Sequence, residues 1–244
     1  KGVAFSDDGC FLATCSRDKS VWVWEVGLDL DVECAAVLSG HGADVKGVHW
    51  SAAAPRDGAP TPRLLSYSYD GSIRVWQEFD DDFECVAVLA EAHSSTIWCV
   101  AVDSRSRRVA SVGQDGALIV WTVSERGRDG TAPVYSTVTS CASAHARAAY
   151  TVSWSAHERG LIATGGGDNA IRCFELSSPP QFSAPQSGPP DSDSTPALRV
   201  CAECRDAHNG DVNCVAWNPT ATHLLASCGD DGCVKLWSLC SSQL

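Results

Sequence analysis

Short apolar runs recur along the entire chain, and polar turns separate them. In one representative stretch, four such runs follow one another, at Val45–Trp50, Leu64–Ser68, Ile73–Trp76 and Phe83–Leu89. Apolar runs that are short, rich in β-branched residues and often alternating with polar positions are typical of β-strands. The pattern therefore predicts an all-β chain in which groups of four strands repeat.

A pair formed by an Asp and an aromatic residue six positions later occurs five times along the chain. These pairs are Asp18 and Trp24, Asp70 and Trp76, Asp115 and Trp121, Asp168 and Phe174, and Asp231 and Trp237. A His precedes each of the last four Asp residues by 22 to 29 residues, at His41, His93, His145 and His208. Four strands in a period of about 40–45 residues, with an aromatic residue on the third strand, are the signature of a WD-repeat β-propeller. We therefore predict a single WD-repeat β-propeller domain of antiparallel strands over residues 1–244.

The strand count predicts four complete blades and a fifth blade that stops after its third strand and so lacks its d strand. The His of the first unit would precede residue 1, and the sequence contains no Met. We therefore expect an N-terminally truncated fragment that holds about five of about seven propeller blades. The first and last blades are expected to have unpaired edges.

Two insertions interrupt the period. Residues 51–63, which are rich in Ala and Pro, lengthen the connection between the first two strands of the second unit. Residues 177–197 form a Ser- and Pro-rich tract in the fourth unit. Because such compositions bury little apolar surface, both segments are predicted to be surface loops.

Charge and cysteine content narrow the possible classes of function. The 18 basic and 30 acidic residues give a net charge of -12, which is the wrong sign for binding a phosphate backbone, so we expect no nucleic-acid partner. No apolar run approaches the roughly 18 residues that a membrane span needs, so we expect no membrane partner. An odd number of cysteines, 13, without a signal peptide favours a reducing compartment, which is the cytoplasm or the nucleus.

The His, Ser and Asp residues of the second unit contain the three side-chain types of a hydrolytic triad. The set recurs in other units, however, whereas a catalytic triad would occur once. With the aromatic residue it matches the structural tetrad of WD repeats, whose members hydrogen-bond across a blade and satisfy buried polar groups. The predicted tetrad positions are Ser16, Asp18 and Trp24; His41, Ser68, Asp70 and Trp76; His93, Asp115 and Trp121; His145 and Asp168; and His208, Asp231 and Trp237, with Gly113, Gly166 and Gly229 in place of the serine. We assign no catalytic residue and do not expect an enzyme.

The sequence contains one CxxC motif, formed by Cys201 and Cys204. A zinc or cluster site of this type would need a second pair, which the sequence lacks. On a strand, residues three positions apart face opposite sides of the sheet, so the two thiols would be poorly placed for one metal. The sequence also has no GxxxxGK[ST] phosphate-binding loop, and we assign no metal or cofactor site.

One face of a WD propeller is formed by the residue before each turn Asp and by the residues three and five positions after each His. Here these positions include Lys1, Arg17, Asp44, Lys46, Tyr69, Thr96, Trp98, Gln114, Tyr150, Asp211, Asn213 and Asp230. Arginine beside large aromatic residues is typical of protein-binding hot spots. The predicted partner-binding residues are Arg17, Lys1, Lys46, Tyr69, Trp98 and Tyr150.

Four strings carry a closer resemblance to a known family. They are Leu12–Glu25, Asp44–Lys46, Asp80–Leu89 and Asp211–Pro219. The chain resembles the WD-repeat proteins of cytosolic iron-sulfur cluster assembly, the Ciao family, over nearly its whole length. The fourth unit departs from the pattern, because Phe174 stands in place of Trp and the Pro-rich tract intervenes.

The resemblance implies a non-catalytic scaffold of the cytosolic targeting complex, which helps deliver clusters to cytosolic and nuclear apoproteins. Its partners would be a small cluster-carrier protein, a large helical-repeat scaffold and apo iron-sulfur clients. Family members use the exposed Arg of the Ser-Arg-Asp-Lys-Ser motif, which is Arg17 here. A basic and aromatic patch could receive an acidic or aromatic-ended client tail, since Arg pairs with carboxylates through parallel hydrogen bonds.

Two other classes of function stay open at this point. One is a different WD-repeat adaptor, such as a ubiquitin-ligase substrate receptor or a chromatin-associated propeller, because many WD proteins share the architecture. The other is a propeller hydrolase or a cluster-binding protein. Proteins that co-purify would identify an adaptor, and the visible absorbance of anaerobically purified protein would reveal a bound cluster.

Overall fold

The chain folds into five antiparallel β-sheets, which are the blades predicted from the repeats. The computed structural model describes residues 1–27, 29, 31–52, 62–80, 82–90, 93–103, 107–124, 133–156, 160–177, 196–221 and 223–239, and every regular element in these ranges is a strand. Blade 1 contains β1 (Gly2–Phe5), β2 (Phe11–Cys15), β3 (Val21–Val26) and β4 (Val32–Leu38). Blade 2 contains β5 (Val45–Ala52), β6 (Pro62–Ser68), β7 (Ile73–Phe79) and β8 (Asp82–Leu89). Blade 3 contains β9 (Ile97–Val102), β10 (Arg108–Gly113), β11 (Leu118–Ser124) and β12 (Val134–Cys141). Blade 4 contains β13 (Ala149–Trp154), β14 (Ile162–Gly166), β15 (Ile171–Leu176) and β16 (Leu198–Cys204), and blade 5 contains β17 (Val212–Trp217), β18 (Leu224–Gly229) and β19 (Val234–Ser238).

Within each blade, consecutive strands are hydrogen-bonded neighbours, so strands a to d follow one another along the chain. Blades 1 to 4 have four strands each, and blade 5 has three in the described part of the chain. The prediction of an all-β WD-repeat propeller built from four-stranded antiparallel blades is thereby confirmed. Because every blade follows the same strand order, equivalent positions of different blades can be compared directly.

Apolar side chains of facing sheets pack between neighbouring blades. Val23 of blade 1 and Val45 and Trp76 of blade 2 belong to one cluster of buried residues. The Trp50 indole N–H also donates to the Ala4 carbonyl oxygen at 3.0 Å and so joins the same two blades. Burying one large aliphatic side chain stabilises a fold by roughly 1.5–3 kcal/mol, so each interface between blades contributes substantially.

The strands that flank the first predicted surface loop are longer than the sequence pattern indicated, whereas those that flank the second end at Leu176 and begin at Leu198, in agreement with its predicted bounds. In the first, the ladder between β5 and β6 continues through the pairs Ser51 with Arg63 and Ala52 with Pro62, so the predicted boundaries at 51 and 63 are wrong by two residues at each end. The apolar pattern stops at Trp50, but the cross-strand hydrogen bonds do not. In the second, the Ser177 N–H donates to the carbonyl oxygen of residue 197 at 3.0 Å. Residues 53–61 and 178–195 lie outside the described part of the chain.

The CxxC motif lies on β16, the predicted d strand, but its two side chains are not on opposite sides of the sheet. A register shift places Phe174 opposite Val200 and Cys173 opposite Ala202, which leaves Cys201 as an extra residue. A β-bulge of this kind breaks the alternation of the strand. As a result Cys201 and Cys204 pack against the same apolar cluster, and the prediction that they diverge is wrong.

Candidate functional site

Four of the predicted face residues occupy the same unusual backbone position. In blades 2 to 5, the pairing between strands a and b skips one residue near the start of strand a. The skipped residues are Lys46, Trp98, Tyr150 and Asn213. Because a bulge turns a side chain out of the regular alternation, it gives each blade one residue that projects from the strand end.

Aromatic and cationic side chains from blades 1 to 4 meet at these bulges and form what we call the cation–aromatic cluster, made of Lys1, Lys46, Tyr69, Trp98 and Tyr150. The rings of Tyr69 and Trp98 are edge to face with centroids 5.8 Å apart, and those of Trp98 and Tyr150 are 5.4 Å apart. Lys46 Nζ lies 4.1 Å from the Trp98 centroid and 5.4 Å from that of Tyr69. Lys1 Nζ lies 4.5 Å from the Tyr69 centroid.

These contacts fix the cluster before any partner arrives. An edge-to-face aromatic pair contributes about 0.5–1.5 kcal/mol, and an exposed cation–π contact about 0.5–1 kcal/mol. The Trp98 indole N–H also donates to Gln114 Oε1 at 2.9 Å, which sets the orientation of the ring. Since ordered side chains lose little conformational entropy on binding, the cluster is suited to recognition.

The carboxylate of Asp44 neutralises part of the positive charge beside the cluster. Lys1 Nζ lies 2.9 Å from Asp44 Oδ2. A hydrogen bond from Lys1, with smaller contributions from the charges of Lys1 and Arg17, lowers the pKa of Asp44. Arg17 is exposed and acts on Asp44 through its charge, but its side chain is not among the described ring contacts of the cluster. Of the six predicted binding residues, the fold thus brings five into contact and places Arg17 within electrostatic reach.

Acidic groups follow the cluster toward blades 4 and 5. Burial, together with the nearby Asp211 carboxylate, raises the pKa of Tyr150. Arg147 Nη1 lies 3.5 Å from Asp211 Oδ1, and Asn213 donates to Asp230 Oδ1 at 2.6 Å. The face therefore changes from cationic at blades 1 and 2 to largely acidic at blades 4 and 5.

Two residues of the face differ from the prediction made from the sequence. Thr96 is buried, and its carbonyl oxygen accepts the Gln114 N–H at 2.8 Å, so it offers little surface to a partner. Arg147, by contrast, is exposed beside Tyr150 but was not among the predicted positions. It lies two residues after His145, and an exposed Arg on a short loop next to an aromatic residue was the available signal.

The structural tetrad of blade 2 is a chain of buried hydrogen bonds. His41 Nδ1 lies 2.9 Å from Asp70 Oδ2, and His41 Nε2 lies 2.8 Å from Ser66 Oγ. The Trp76 indole N–H donates to Ser66 Oγ at 2.9 Å. The tetrad hydroxyl therefore belongs to Ser66, and the prediction of Ser68 is wrong by two residues.

Ser68 has a different role at the end of the strand. Its hydroxyl donates to the Asp44 carbonyl oxygen at 2.8 Å and accepts the Asp70 N–H at 3.1 Å, so it fixes the turn backbone. Ser16 likewise accepts the Asp18 N–H at 3.3 Å, whereas the Trp24 indole N–H donates to Thr14 Oγ1 at 3.1 Å. Ser16 is therefore not the tetrad hydroxyl of blade 1. In both blades the correct residue lies two positions earlier, on the same face of the strand.

All five blades have a Ser or Thr at the hydroxyl position of the tetrad, so the prediction that glycine takes its place in blades 3 to 5 is wrong. The five hydroxyls belong to Thr14, Ser66, Ser111, Thr164 and Ser227. The imidazoles of His93, His145 and His208 contact the last three of them, and their Nδ1 atoms lie 2.8–2.9 Å from Asp115, Asp168 and Asp231. The indoles of Trp121 and Trp237 donate to Ser111 and Ser227 at 3.2 and 2.8 Å. Gly113, Gly166 and Gly229 instead occupy the position of Ser68.

Burial keeps the tetrad imidazole of blade 2 neutral. It lowers the pKa of His41, and the hydrogen bond that His41 donates to Asp70 only partly opposes this. Although burial opposes it, hydrogen bonding from Ser72, His41 and Gly42 lowers the pKa of Asp70 to about 2. A neutral His41 with its proton on Nδ1 can donate to Asp70 and accept from Ser66. Because the hydroxyl of Ser66 is fully buried and also engaged by the indole, this Asp-His-Ser arrangement satisfies polar groups and offers no exposed nucleophile.

Two other features, a cluster of metal-ligating side chains and a membrane-spanning helix, are absent from the part of the chain that the structure describes. Among those residues, no group of three or more His, Cys, Asp or Glu side chains is arranged to hold a metal ion. The same residues include no helix that is long and apolar enough to cross a membrane.

Comparison with known proteins reveals several close relatives. The chain is 34% identical to the probable cytosolic iron-sulfur protein assembly protein 1 of Chaetomium globosum, over 98% of this chain and 63% of that protein. It is 39% identical to the probable cytosolic iron-sulfur protein assembly protein Ciao1 of Culex quinquefasciatus, over 65% of this chain and 45% of that protein. The chain thus spans less than two thirds of the length of these relatives, and the resemblance to the Ciao family is confirmed.

A protein-family model also matches the repeats of this chain. The family described as WD domain, G-beta repeat, matches residues 1–25, 32–77, 83–122 and 199–238. The first segment covers the first three strands of blade 1, and each later segment covers the last strand of one blade together with the first three strands of the next. The unmatched part includes most of blade 4, where Phe174 replaces the tetrad Trp, yet blade 4 has the same four strands. The chain therefore belongs to the WD domain, G-beta repeat family.

Proposed function

We propose that this chain is a non-catalytic protein-binding scaffold of cytosolic iron-sulfur protein assembly, which helps deliver clusters to cytosolic and nuclear apoproteins. The observation that carries the proposal is the name shared by relatives that align with 98% of the chain. Their names also say cytosolic, which supports a cytoplasmic location. A nuclear pool of the chain is proposed because some apoproteins that need clusters are nuclear.

The cation–aromatic cluster is the proposed contact surface for partners. The partners would be a small cluster-carrier protein, a large helical-repeat scaffold and apo iron-sulfur clients. The proposed contact residues are Arg17, Lys1, Lys46, Tyr69, Trp98 and Tyr150. An acidic or aromatic-ended tail fits their chemistry, because Lys and Arg pair with carboxylates while Trp and Tyr contribute large apolar contact areas.

Affinity purification of the chain with identification of bound proteins by mass spectrometry tests the functional class. We expect iron-sulfur assembly proteins and apoproteins that receive clusters. Recovery of ubiquitin-ligase subunits or chromatin proteins in their place would contradict the proposal. A visible absorbance band of the anaerobically purified chain would instead indicate that it binds a cluster itself.

Charge reversal tests the proposed contact surface. Lys46 contacts two rings of the cluster, and Arg17 is exposed beside Asp44, so we expect Lys46→Glu and Arg17→Glu each to reduce recovery of the partners by about tenfold or more, the equivalent of roughly 1.4 kcal/mol. Arg199→Glu is the matched control, because Arg199 is exposed on β16 and pairs with Glu175 at 3.2 Å. Equal recovery with all three variants would show that the partners bind elsewhere.

A further inference from the structure

Two thiols lie directly opposite each other on neighbouring strands of blade 5. Cys214 on β17 and Cys228 on β18 are partners in the antiparallel register, and both are free. Opposed Cα atoms in an antiparallel pair are about 4.5–5.5 Å apart, and disulfides span about 4.4–6.8 Å. The two side chains also meet, because the thiols of Cys214 and Cys228 are hydrogen-bonded to each other. Burial, the nearby Cys228 and this hydrogen bond raise the pKa of Cys214.

We propose that Cys214 and Cys228 are a redox modification site, at which a small-molecule disulfide such as oxidised glutathione converts the two thiols into a reversible cross-strand disulfide. This inference goes beyond the proposed function and does not depend on it. It rests on the strand register and on side-chain contact.

The neighbouring thiols of blade 4 are less suitable. Cys201 donates its thiol to the Cys173 carbonyl oxygen at 3.3 Å, but Cys173 lies opposite Ala202 in the register. Cys173 is also buried, and burial raises its pKa to about 12, so it forms little thiolate. Cys214, in contrast, is exposed and can meet a soluble oxidant. Access to the oxidant is needed for exchange, and it favours the exposed Cys214 over the buried Cys173.

The exchange is balanced without any further reactant. The Cys214 thiolate attacks one sulfur of the glutathione disulfide, which forms a mixed disulfide and releases one glutathione thiolate. The Cys228 thiolate then attacks the Cys214 sulfur and releases the second glutathione. Two protein thiols are oxidised, one glutathione disulfide is reduced to two thiols, and the protons of the protein thiols pass to the released glutathione.

The bond would join the strand ends that carry part of the candidate face. Asn213 precedes Cys214, and it donates to Asp230, which lies two residues after Cys228. A disulfide would therefore fix the spacing of the acidic end of the face. It would leave the cation–aromatic cluster of blades 1 to 4 in place.

The pair can be mapped in the whole chain. The chain is equilibrated in a glutathione redox buffer, quenched with acid, alkylated and digested with trypsin. Residues 206–235 form one tryptic peptide, since no Lys or Arg lies between Arg205 and Lys235, and this peptide also contains Cys233. The experiment is therefore repeated in a Cys233→Ser background, and a second protease that cleaves after Trp217 separates the two thiols of the pair.

We expect the fragments that contain Cys214 and Cys228 to stay linked, with loss of two hydrogen atoms, and to separate after reduction with dithiothreitol. Cys228→Ser should leave Cys214 as a glutathione mixed disulfide, because the resolving thiol is missing. Cys173→Ser/Cys201→Ser is the matched control and should retain the link. Full alkylation of both thiols under oxidising buffer, or stable glutathione adducts without a link in the unaltered pair, would overturn the proposal.

Discussion

At the scale of single residues, the tetrad of blade 2 depends on one hydroxyl that serves two buried neighbours. Ser66 donates to His41 Nε2 and accepts from the Trp76 indole. If that hydroxyl is removed, both the imidazole nitrogen and the indole N–H lose their partner away from water. Ser68 bonds only to backbone groups of the adjacent turn, where blades 3 to 5 have glycine.

Ser66→Ala should therefore lower the free energy of unfolding by about 2–4 kcal/mol, because it leaves two buried groups unsatisfied. Ser66→Thr should cost less than about 1.5 kcal/mol, since Thr164 already fills this position in blade 4. Urea unfolding followed by tryptophan fluorescence measures both changes. Ser68→Gly is the control, and a larger loss for it than for Ser66→Ala would contradict the assignment of the hydroxyl.

The tetrad also shows which residues the sequence can predict. The Asp and aromatic positions follow from a fixed spacing of six residues and the His positions from their place in the repeat, and each lies where the repeat predicted it. The hydroxyl does not, because residues two apart on a strand share a face and Ser66 and Ser68 both satisfy the alternation. Only the cross-strand register decides between them. It places position 64 opposite Trp76, so Ser66 lies two residues from that position and Ser68 lies four.

At the scale of the strand pair, the five blades can be compared at one equivalent position of the ladder, where a residue of strand a lies opposite a residue of strand b. The pairs are Gly2 and Cys15, Gly47 and Tyr67, Cys99 and Val112, Thr151 and Gly165, and Cys214 and Cys228. In three of these pairs a larger residue lies opposite a glycine. A Cβ on Gly47 would overlap the Tyr67 ring and hydroxyl, so the glycine is required by close approach.

Gly47→Ala should destabilise the chain by about 1–3 kcal/mol, because the core is overfilled. In the double variant Gly47→Ala/Tyr67→Val the clash is removed, and the pair then resembles Cys99 and Val112 of blade 3. We expect a coupling energy above about 1 kcal/mol from urea unfolding of the single and double variants. Gly27→Ala is the control, because a Cβ there would meet its nearest atom at 3.5 Å. If the effects of the two substitutions on the free energy of unfolding were additive, the small residue at position 47 would not be required by the large residue at position 67.

Strand order and blade number were predictable because both follow from a repeated pattern. The bulges that expose Lys46, Trp98, Tyr150 and Asn213 were not, since a skipped residue leaves no mark in the hydrophobic alternation of so short a strand. Their positions on the face were inferred from WD architecture. The contacts among them depend on distances between blades, which only the folded chain defines.

At the scale of the whole molecule, two effects of acidification oppose each other. The net charge of -12 and the pI of about 4.8 mean that lowering the pH from 7 reduces repulsion between acidic groups, which favours the compact state. Burial, however, lowers the pKa of His41, His49 and His145 from 6.5 in the folded chain. Below pH 6.5 the unfolded chain binds protons that the folded chain does not, so the free energy of unfolding decreases as the pH is lowered.

We expect the histidine effect to dominate, because one pKa unit corresponds to about 1.4 kcal/mol, whereas surface repulsion is largely screened at about 0.15 M salt. The melting temperature should therefore decrease as the pH is lowered from 6.5 toward 5, although the net charge approaches zero. A second decrease should follow below pH 3.8, because the pKa of Asp70 is lowered to about 2 in the folded chain and its contribution is lost as the pH falls through that value.

Calorimetric scans across this pH range test the balance between the two effects. His49 lies outside the tetrads, so His49→Gln should weaken the decrease below pH 6.5 without breaking a tetrad, whereas substitution of the exposed His223 by Gln should leave it unchanged. A melting temperature that rises steadily toward pH 4.8 would mean that charge repulsion outweighs the buried imidazoles. In that case the neutral, hydrogen-bonded state assigned to His41 would contribute little to the stability of the propeller.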